Sequence, residues 1–210
     1  MKTLSVGLFG LVAATASANL ILNGDFEVNT AAGTNYNLKN ADFTSQMATA
    51  TGYGAGDELD IMTFGAYGLS PQSGSYKVGM ATGRGTDAMT LKFSSAVTAG
   101  VRYNLSFWAY REQSFTQGDG SLNVGISGVA NAPGTQVFAT GTGVPNSAWT
   151  QFTSEFLAPT GGGYLSVEAV GQSDTVWYHV DNFSLTAVPE PATMTALALG
   201  AAALIKRRKR

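Results

Sequence analysis

The sequence predicts an all-β fold, a single two-sheet sandwich of jelly-roll type, and three observations carry that prediction. Apolar residues in the middle of the chain recur with a period of two rather than 3.6, clusters of Gly, Asn, Asp and Pro separate the alternating segments, and no capped amphipathic helix is visible between residues 19 and 187. Segments that are apolar on one face only must bury that face against another layer, and two packed sheets are the most economical solution.

Taken in order, strands are predicted near residues 19–28, 58–64, 75–81, 88–93, 101–110, 121–127, 135–139, 149–157, 163–170 and 176–186. In "VRYNLSFWAY" the residues Tyr103, Leu105, Phe107 and Ala109 share one face, while Trp108 and Tyr110 share the other. "SLNVGIS" aligns Leu122, Val124 and Ile126; "YLSVEAV" aligns Leu165, Val167 and Ala169; "TQFTSEF" aligns Phe152 and Phe156. Turn chemistry lies between these runs at Gly83-Arg84-Gly85, Gly118-Asp119-Gly120, Asn131-Ala132-Pro133-Gly134 and Gly161-Gly162-Gly163. Thr30 to Gly56 is polar and poor in branched residues, so it is expected to be a long loop with one strand at most, around Phe43 to Met47.

Both ends differ from the middle. Lys2, the apolar run Leu4 to Ala14 and the small residues Ala16-Ser17-Ala18 have the form of a cleaved secretory signal over residues 1–18. At the other end, Ala192 to Ile205 is an apolar stretch of 14 residues. As a helix it reaches about 21 Å, short of a hydrocarbon core of about 30 Å. Five consecutive basic residues, Lys206 to Arg210, follow it and are expected to remain on the cytoplasmic side. The domain organisation is therefore a signal segment (1–18), one sandwich domain (19–187) and a tail (188–210).

That tail resembles the PEP-CTERM sorting signal of Gram-negative bacteria: the motif Val188-Pro189-Glu190-Pro191, a short apolar helix, then a basic cluster. The resemblance implies Sec export with removal of the signal by signal peptidase, transient anchoring in the inner membrane through the C-terminal helix, and processing by exosortase. It further implies a destination at the cell surface or in an extracellular, exopolysaccharide-containing matrix.

Residues 19–187 contain six basic and 13 acidic residues, a net charge of about −7. Binding to nucleic acid needs clustered Lys and Arg, so this balance argues against it. The chain has no cysteine, which excludes thiol catalysis, zinc–thiolate sites and iron–sulfur clusters and leaves a hydrophobic core, a bound metal, or both to stabilise the exported domain.

Four landmarks in order, "NLILNGDFE", "SGSYKVGM", "YNLSFWAY" and "WYHVDNFSL", resemble the galactose-binding-like jelly rolls of carbohydrate-binding modules and DUF642-type secreted proteins. The resemblance implies that the first and last strands lie side by side. It also implies a structural Ca2+ ligated by the carboxylates of Glu27 and Asp181, with the carbonyls of Asp25 and Lys77 as further candidates. Two carboxylates brought to one edge repel unless a cation lies between them, and calcium takes six to eight oxygens, carbonyls included.

The remaining candidates come from the residues themselves. Asp57-Glu58-Leu59-Asp60 lacks EF-hand spacing and is expected to form a solvated acidic face. His179 is the only histidine, and without a GxSxG elbow it is expected to be a polar side chain beside Asp181 on the last strand. Trp149 and Trp177 are assigned to core or strand-end packing. Trp108 and Tyr110 face away from the core side of their strand, where an exposed ring can stack on a sugar, with Asn123 and Glu168 as polar neighbours. Glu155 and Glu168 are outward-facing acids that nothing distinguishes as a glycosidase pair. The expected function is a non-catalytic, carbohydrate-binding-like surface or matrix protein. The alternatives are a purely structural or adhesive matrix protein without a sugar site and, third, a polysaccharide-acting enzyme.

Overall fold

Alternation of apolar and polar residues converts directly into strands whose inner faces meet. The computed structural model describes residues 18–114, 118–171 and 175–189; residues 1–17 of the expected signal segment, the expected tail helix and basic cluster, Glu190 and Pro191 lie outside them. Among the described residues no helix is long and apolar enough to cross a membrane. The elements are β1 (Asn35–Leu38), α1 (Asn40–Gln46), β2 (Ala50–Gly52), β3 (Leu59–Thr63), β4 (Tyr76–Ala81), β5 (Ala88–Val97), β6 (Arg102–Arg111), β7 (Gly120–Ser127), β8 (Thr135–Ala139), β9 (Thr150–Leu157), β10 (Gly162–Gly171) and β11 (Trp177–Ala187).

Two antiparallel sheets result, one ordered β1-β3-β4-β11-β6-β9 and the other β2-β5-β10-β7-β8. The inner-face residues named above pack between them. Leu105, Phe107 and Ala109 of β6, Leu122, Val124 and Ile126 of β7, and Leu165, Val167 and Ala169 of β10 are all buried. Phe107 is the centre of this core. Its ring stacks on Phe152 at 5.4 Å and on Phe183 at 5.0 Å, and Phe138 meets it edge-on at 5.8 Å. Each such ring contributes about 1.5–3 kcal/mol through burial alone.

Two expectations need correction. Residues 19–28 do not form a continuous strand. Leu20 donates to the carbonyl of Leu185 while its own carbonyl accepts from Ser94, so this segment ties the two sheets together at their edge. It then turns sharply, because the Asn23 side chain satisfies the backbone of Val28 and Ala48 instead of a ladder. Gly24 is required there, since a Cβ would lie 2.0 Å from the carbonyl oxygen of Phe183. In Thr30 to Gly56 the expected loop contains β1, β2 and, where a strand was expected, the short helix α1. At seven residues this helix is too short to show a 3.6-residue period. It has no side-chain N-cap and is held by the fully buried Phe43.

The last strand carries a β-bulge. Asp181 pairs with Trp108 and Ser184 with Ser106, so one extra residue is accommodated around Asn182, which has φ = 53°. The bulge reverses the facing pattern. Tyr178 and Val180 point into the core before it, and Phe183 and Leu185 do so after it. His179 and Asp181 are thereby left on the outer face of the six-stranded sheet.

Candidate functional site

The outer face of the six-stranded sheet is crossed by a row of rings. Trp149 meets Tyr110 edge-on at 4.6 Å, Tyr110 stacks on His179 at 4.5 Å and 3°, and His179 packs against Trp177 at 4.7 Å. Trp177 continues the row to Tyr36 at 6.4 Å and Tyr67 at 6.2 Å, which lie 5.9 Å from each other.

Residues 64–75, between β3 and β4, lie over part of this row, and side chains from the sheet satisfy their backbone. The ammonium of Lys77 donates to the carbonyls of Tyr67 and Leu69 and to the Tyr110 hydroxyl, which uses all three of its protons. The Tyr110 hydroxyl accepts from the Leu69 N–H at 2.8 Å, and the Trp149 indole donates to the Ser70 carbonyl at 2.9 Å. Asp181 Oδ2 accepts from Gln72 and Ser73, and Glu27 Oε1 accepts from Ser75 and Tyr76. Gly68 passes so near Tyr110 that a Cβ would lie 2.3 Å from the hydroxyl. A loop without regular structure is fixed in this way because each buried backbone group needs a partner.

Burial controls the electrostatics of this layer. It pulls the Lys77 ammonium down to about 8, with Glu112 and Asp181 acting in the opposite direction. It lifts the Asp181 carboxyl to about 7, an effect that backbone N–H groups oppose and the Glu27 charge reinforces. His179 is held well below the usual imidazole range by burial and by Lys77, and it is therefore neutral.

Beyond the covered part the sheet opens into a cleft of about 530 Å³ lined by Tyr36, Tyr67 and Trp177 together with Asn37, Glu58, Asp60, Arg84 and Thr175. Tyr36 is 40% and Tyr67 57% exposed. Asp60 forms the polar floor. Its Oδ1 accepts from the Asn37 N–H at 2.7 Å and its Oδ2 from the Trp177 indole at 3.0 Å. Burial raises its carboxyl to about 7 despite both donors. Glu58 pairs with Arg84 at 3.2 Å on the rim. Such a surface can stack the apolar face of a ring and hydrogen-bond the groups around its edge.

The predicted site residues are distributed differently from the expectation. Tyr110 does face outward, but residues 64–75 bury it completely, so its ring is not available to a ligand. Trp108 is half-buried on the same face, opposite Asp181 in the neighbouring strand and away from the cleft. Asn123 and Glu168 are direct cross-strand neighbours, yet they belong to the five-stranded sheet and cannot accompany Trp108 or Tyr110. Glu155 and Glu168 likewise lie in different sheets. Asp60 is buried rather than solvated, and Trp149 and Trp177 lie at strand ends, directly before β9 and at the start of β11, with their rings on the outer face. Glu27 and Asp181 both clasp the 72–76 segment, which places Lys77 directly after it; Asp25 is exposed beside Glu27. The cleft aromatics Tyr36 and Tyr67 were invisible in the sequence, because both lie in stretches without periodicity.

Known proteins resemble this chain in two respects. Residues 187–210 match the PEP-CTERM protein-sorting motif, of which Val188 and Pro189 are among the described residues. No curated protein sequence matches the chain. Among solved structures, the K2 cleaved adhesin domain of Lys-gingipain aligns with a TM-score of 0.54 at 16% identity, covering 83% of this chain and 100% of that one. TmCBM61 in complex with β-1,4-galactotriose aligns with a TM-score of 0.48 at 16% identity, over 82% of this chain and 100% of that one. The CBM22-1 xylan-binding domain from Paenibacillus barcinonensis Xyn10C aligns with a TM-score of 0.46 at 13% identity, over 84% and 99%. At these identities the likeness is one of fold. The chain is an all-β two-sheet sandwich that shares its fold with the K2 cleaved adhesin domain of Lys-gingipain, and its residues 187–210 match the PEP-CTERM protein-sorting motif.

Proposed function

We propose that this is an exported, surface-associated protein whose sandwich binds a carbohydrate in the cleft beside Tyr36, Tyr67 and Trp177 without acting on it as an enzyme. The sorting motif and the carbohydrate-binding-module-like fold support export and a carbohydrate-binding-like domain. The observation that carries the sugar reading is the juxtaposition of partly exposed aromatic rings with a fixed carboxylate and other polar groups in one open cleft. On this reading Sec and signal peptidase handle the N-terminus. The tail anchors the chain briefly in the inner membrane of a Gram-negative cell, and exosortase processes it for delivery to the surface or to an exopolysaccharide matrix.

The test is binding of the purified protein to a panel of matrix polysaccharides. Affinity that falls at least tenfold in Tyr67→Ala and survives in Trp108→Ala supports the cleft. The reverse pattern places binding at β6, and silence across the panel leaves a structural or adhesive matrix role. The intact mass of the protein recovered from cells tests delivery, since it reports both processing events.

The same proposal includes a structural Ca2+ near Glu27 and Asp181. Support comes from the donor set: both are carboxylates, and each fixes the same segment through one oxygen, Asp181 at Gln72 and Ser73 and Glu27 at Ser75 and Tyr76. A divalent cation would relieve the repulsion between them and lock residues 72–76 in place.

A further inference from the structure

Resting on the reading of the cleft as a glycan site, we propose that it selects a positively charged sugar, a 2-amino-2-deoxyhexose with a free ammonium, over neutral sugars and uronic acids. Charge and shape point the same way. The described residues lining the cleft include two carboxylates, Glu58 and Asp60, and one cation, Arg84. Directly behind them, Asp87 accepts from the Glu58 N–H at 3.1 Å, which adds a third acid to the same wall.

Arg84 pairs with Glu58 but not with Asp60, which has no ion-pair partner among the described residues. The Arg84 side chain is 81% exposed and reaches Glu58 from the solvent side at 3.2 Å. Among the described residues each oxygen of Asp60 accepts from a single donor, and a carboxyl oxygen can accept from more than one, so capacity remains for a ligand N–H. An ammonium next to Asp60 would compensate a carboxylate that the fold has otherwise removed from water. The rings act in the same sense. Tyr36 and Tyr67, partly exposed beside this wall, are of the ring type that stacks on the C–H side of a pyranose and also attracts a cation. A uronate would instead bring a third carboxylate to Glu58 and Asp60, and a neutral N-acetyl group would leave Asp60 without a charge partner among the described residues.

The experiment is calorimetric titration of the full-length protein at pH 7 with three oligosaccharides of equal length: glucosamine, N-acetylglucosamine and galacturonate oligomers. The glucosamine oligomer is expected to bind at least tenfold more tightly than the other two, with an affinity that falls as salt is added. Glu58→Gln, which leaves Arg84 unpaired at the rim, is expected to weaken that binding about tenfold. Arg84→Ala, a change at an exposed side chain, is expected to strengthen it several-fold, a gain that damage to the fold would not produce. Equal or tighter binding of the N-acetylated or galacturonate oligomer, or no gain in Arg84→Ala, overturns the charge selection and leaves the glycan reading standing. Absence of binding by all three, and by the wider polysaccharide panel, overturns both.

Discussion

Asp60 makes the stability of this domain depend on pH in a direction opposite to that of most carboxylates. Burial raises it from 3.8 to about 7, and it raises Asp87 from 3.8 to about 6. Between these limits the folded state holds protons that the unfolded chain has released. The stabilisation is complete below about pH 4 and is lost as the pH rises through about 7 for Asp60 and about 6 for Asp87. For Asp60, 4% exposed, a difference of about 3 in pKa corresponds to about 4 kcal/mol lost between pH 4 and pH 8. Asp60→Asn cannot ionise. It keeps one acceptor oxygen for the Asn37 N–H or the Trp177 indole and gives up the other. Urea denaturation of wild type and Asp60→Asn at pH 5 and pH 8 measures the effect. Wild type is expected to lose more stability than the variant across this interval, by about 2–4 kcal/mol, and both proteins share the dependence contributed by Asp181 and Asp87. Equal losses in the two proteins would refute the reasoning, because they would mean that Asp60 is ionised in the fold at both pH values.

Four other outcomes are expected. Phe107→Ala, which opens a cavity among Phe138, Phe152 and Phe183, should cost about 3–5 kcal/mol in chemical denaturation. Gly24→Ala forces a methyl against the Phe183 carbonyl and should lower stability by at least about 2 kcal/mol, read as a fall in melting temperature. Lys77→Met leaves the carbonyls of Tyr67 and Leu69 without their charged donor, so limited proteolysis should cut within residues 64–75 much faster than in wild type. Added Ca2+ at 100 times its dissociation constant should stabilise wild type by about 2.7 kcal/mol, an increase in melting temperature of about 5–10 °C, and chelation should abolish it. Glu27→Ala should remove that response; a melting temperature indifferent to both calcium and chelator would eliminate the ion.

Period-two alternation placed the inner faces of β6, β7 and β10 from the sequence alone, because each strand carries its own record of which side is apolar. The sorting motif was equally legible, being a local string at one terminus. The candidate site was not. Trp108, Tyr110, Asn123 and Glu168 were all correctly read as outward-facing, but which sheet a strand joins depends on pairing between distant segments, and that pairing separated them. Burial of Tyr110 and exposure of Tyr67 both follow from the path of residues 64–75, which is set by side chains as remote as Trp149 and Asp181. The bulge at Asn182 reverses the facing of β11 midway, a change that requires the partner strand to be seen. Local sequence thus determined the layers and the sorting motif of this protein. Long-range pairing and the hydrogen-bonding needs of one covering loop decided where its outer face stays open.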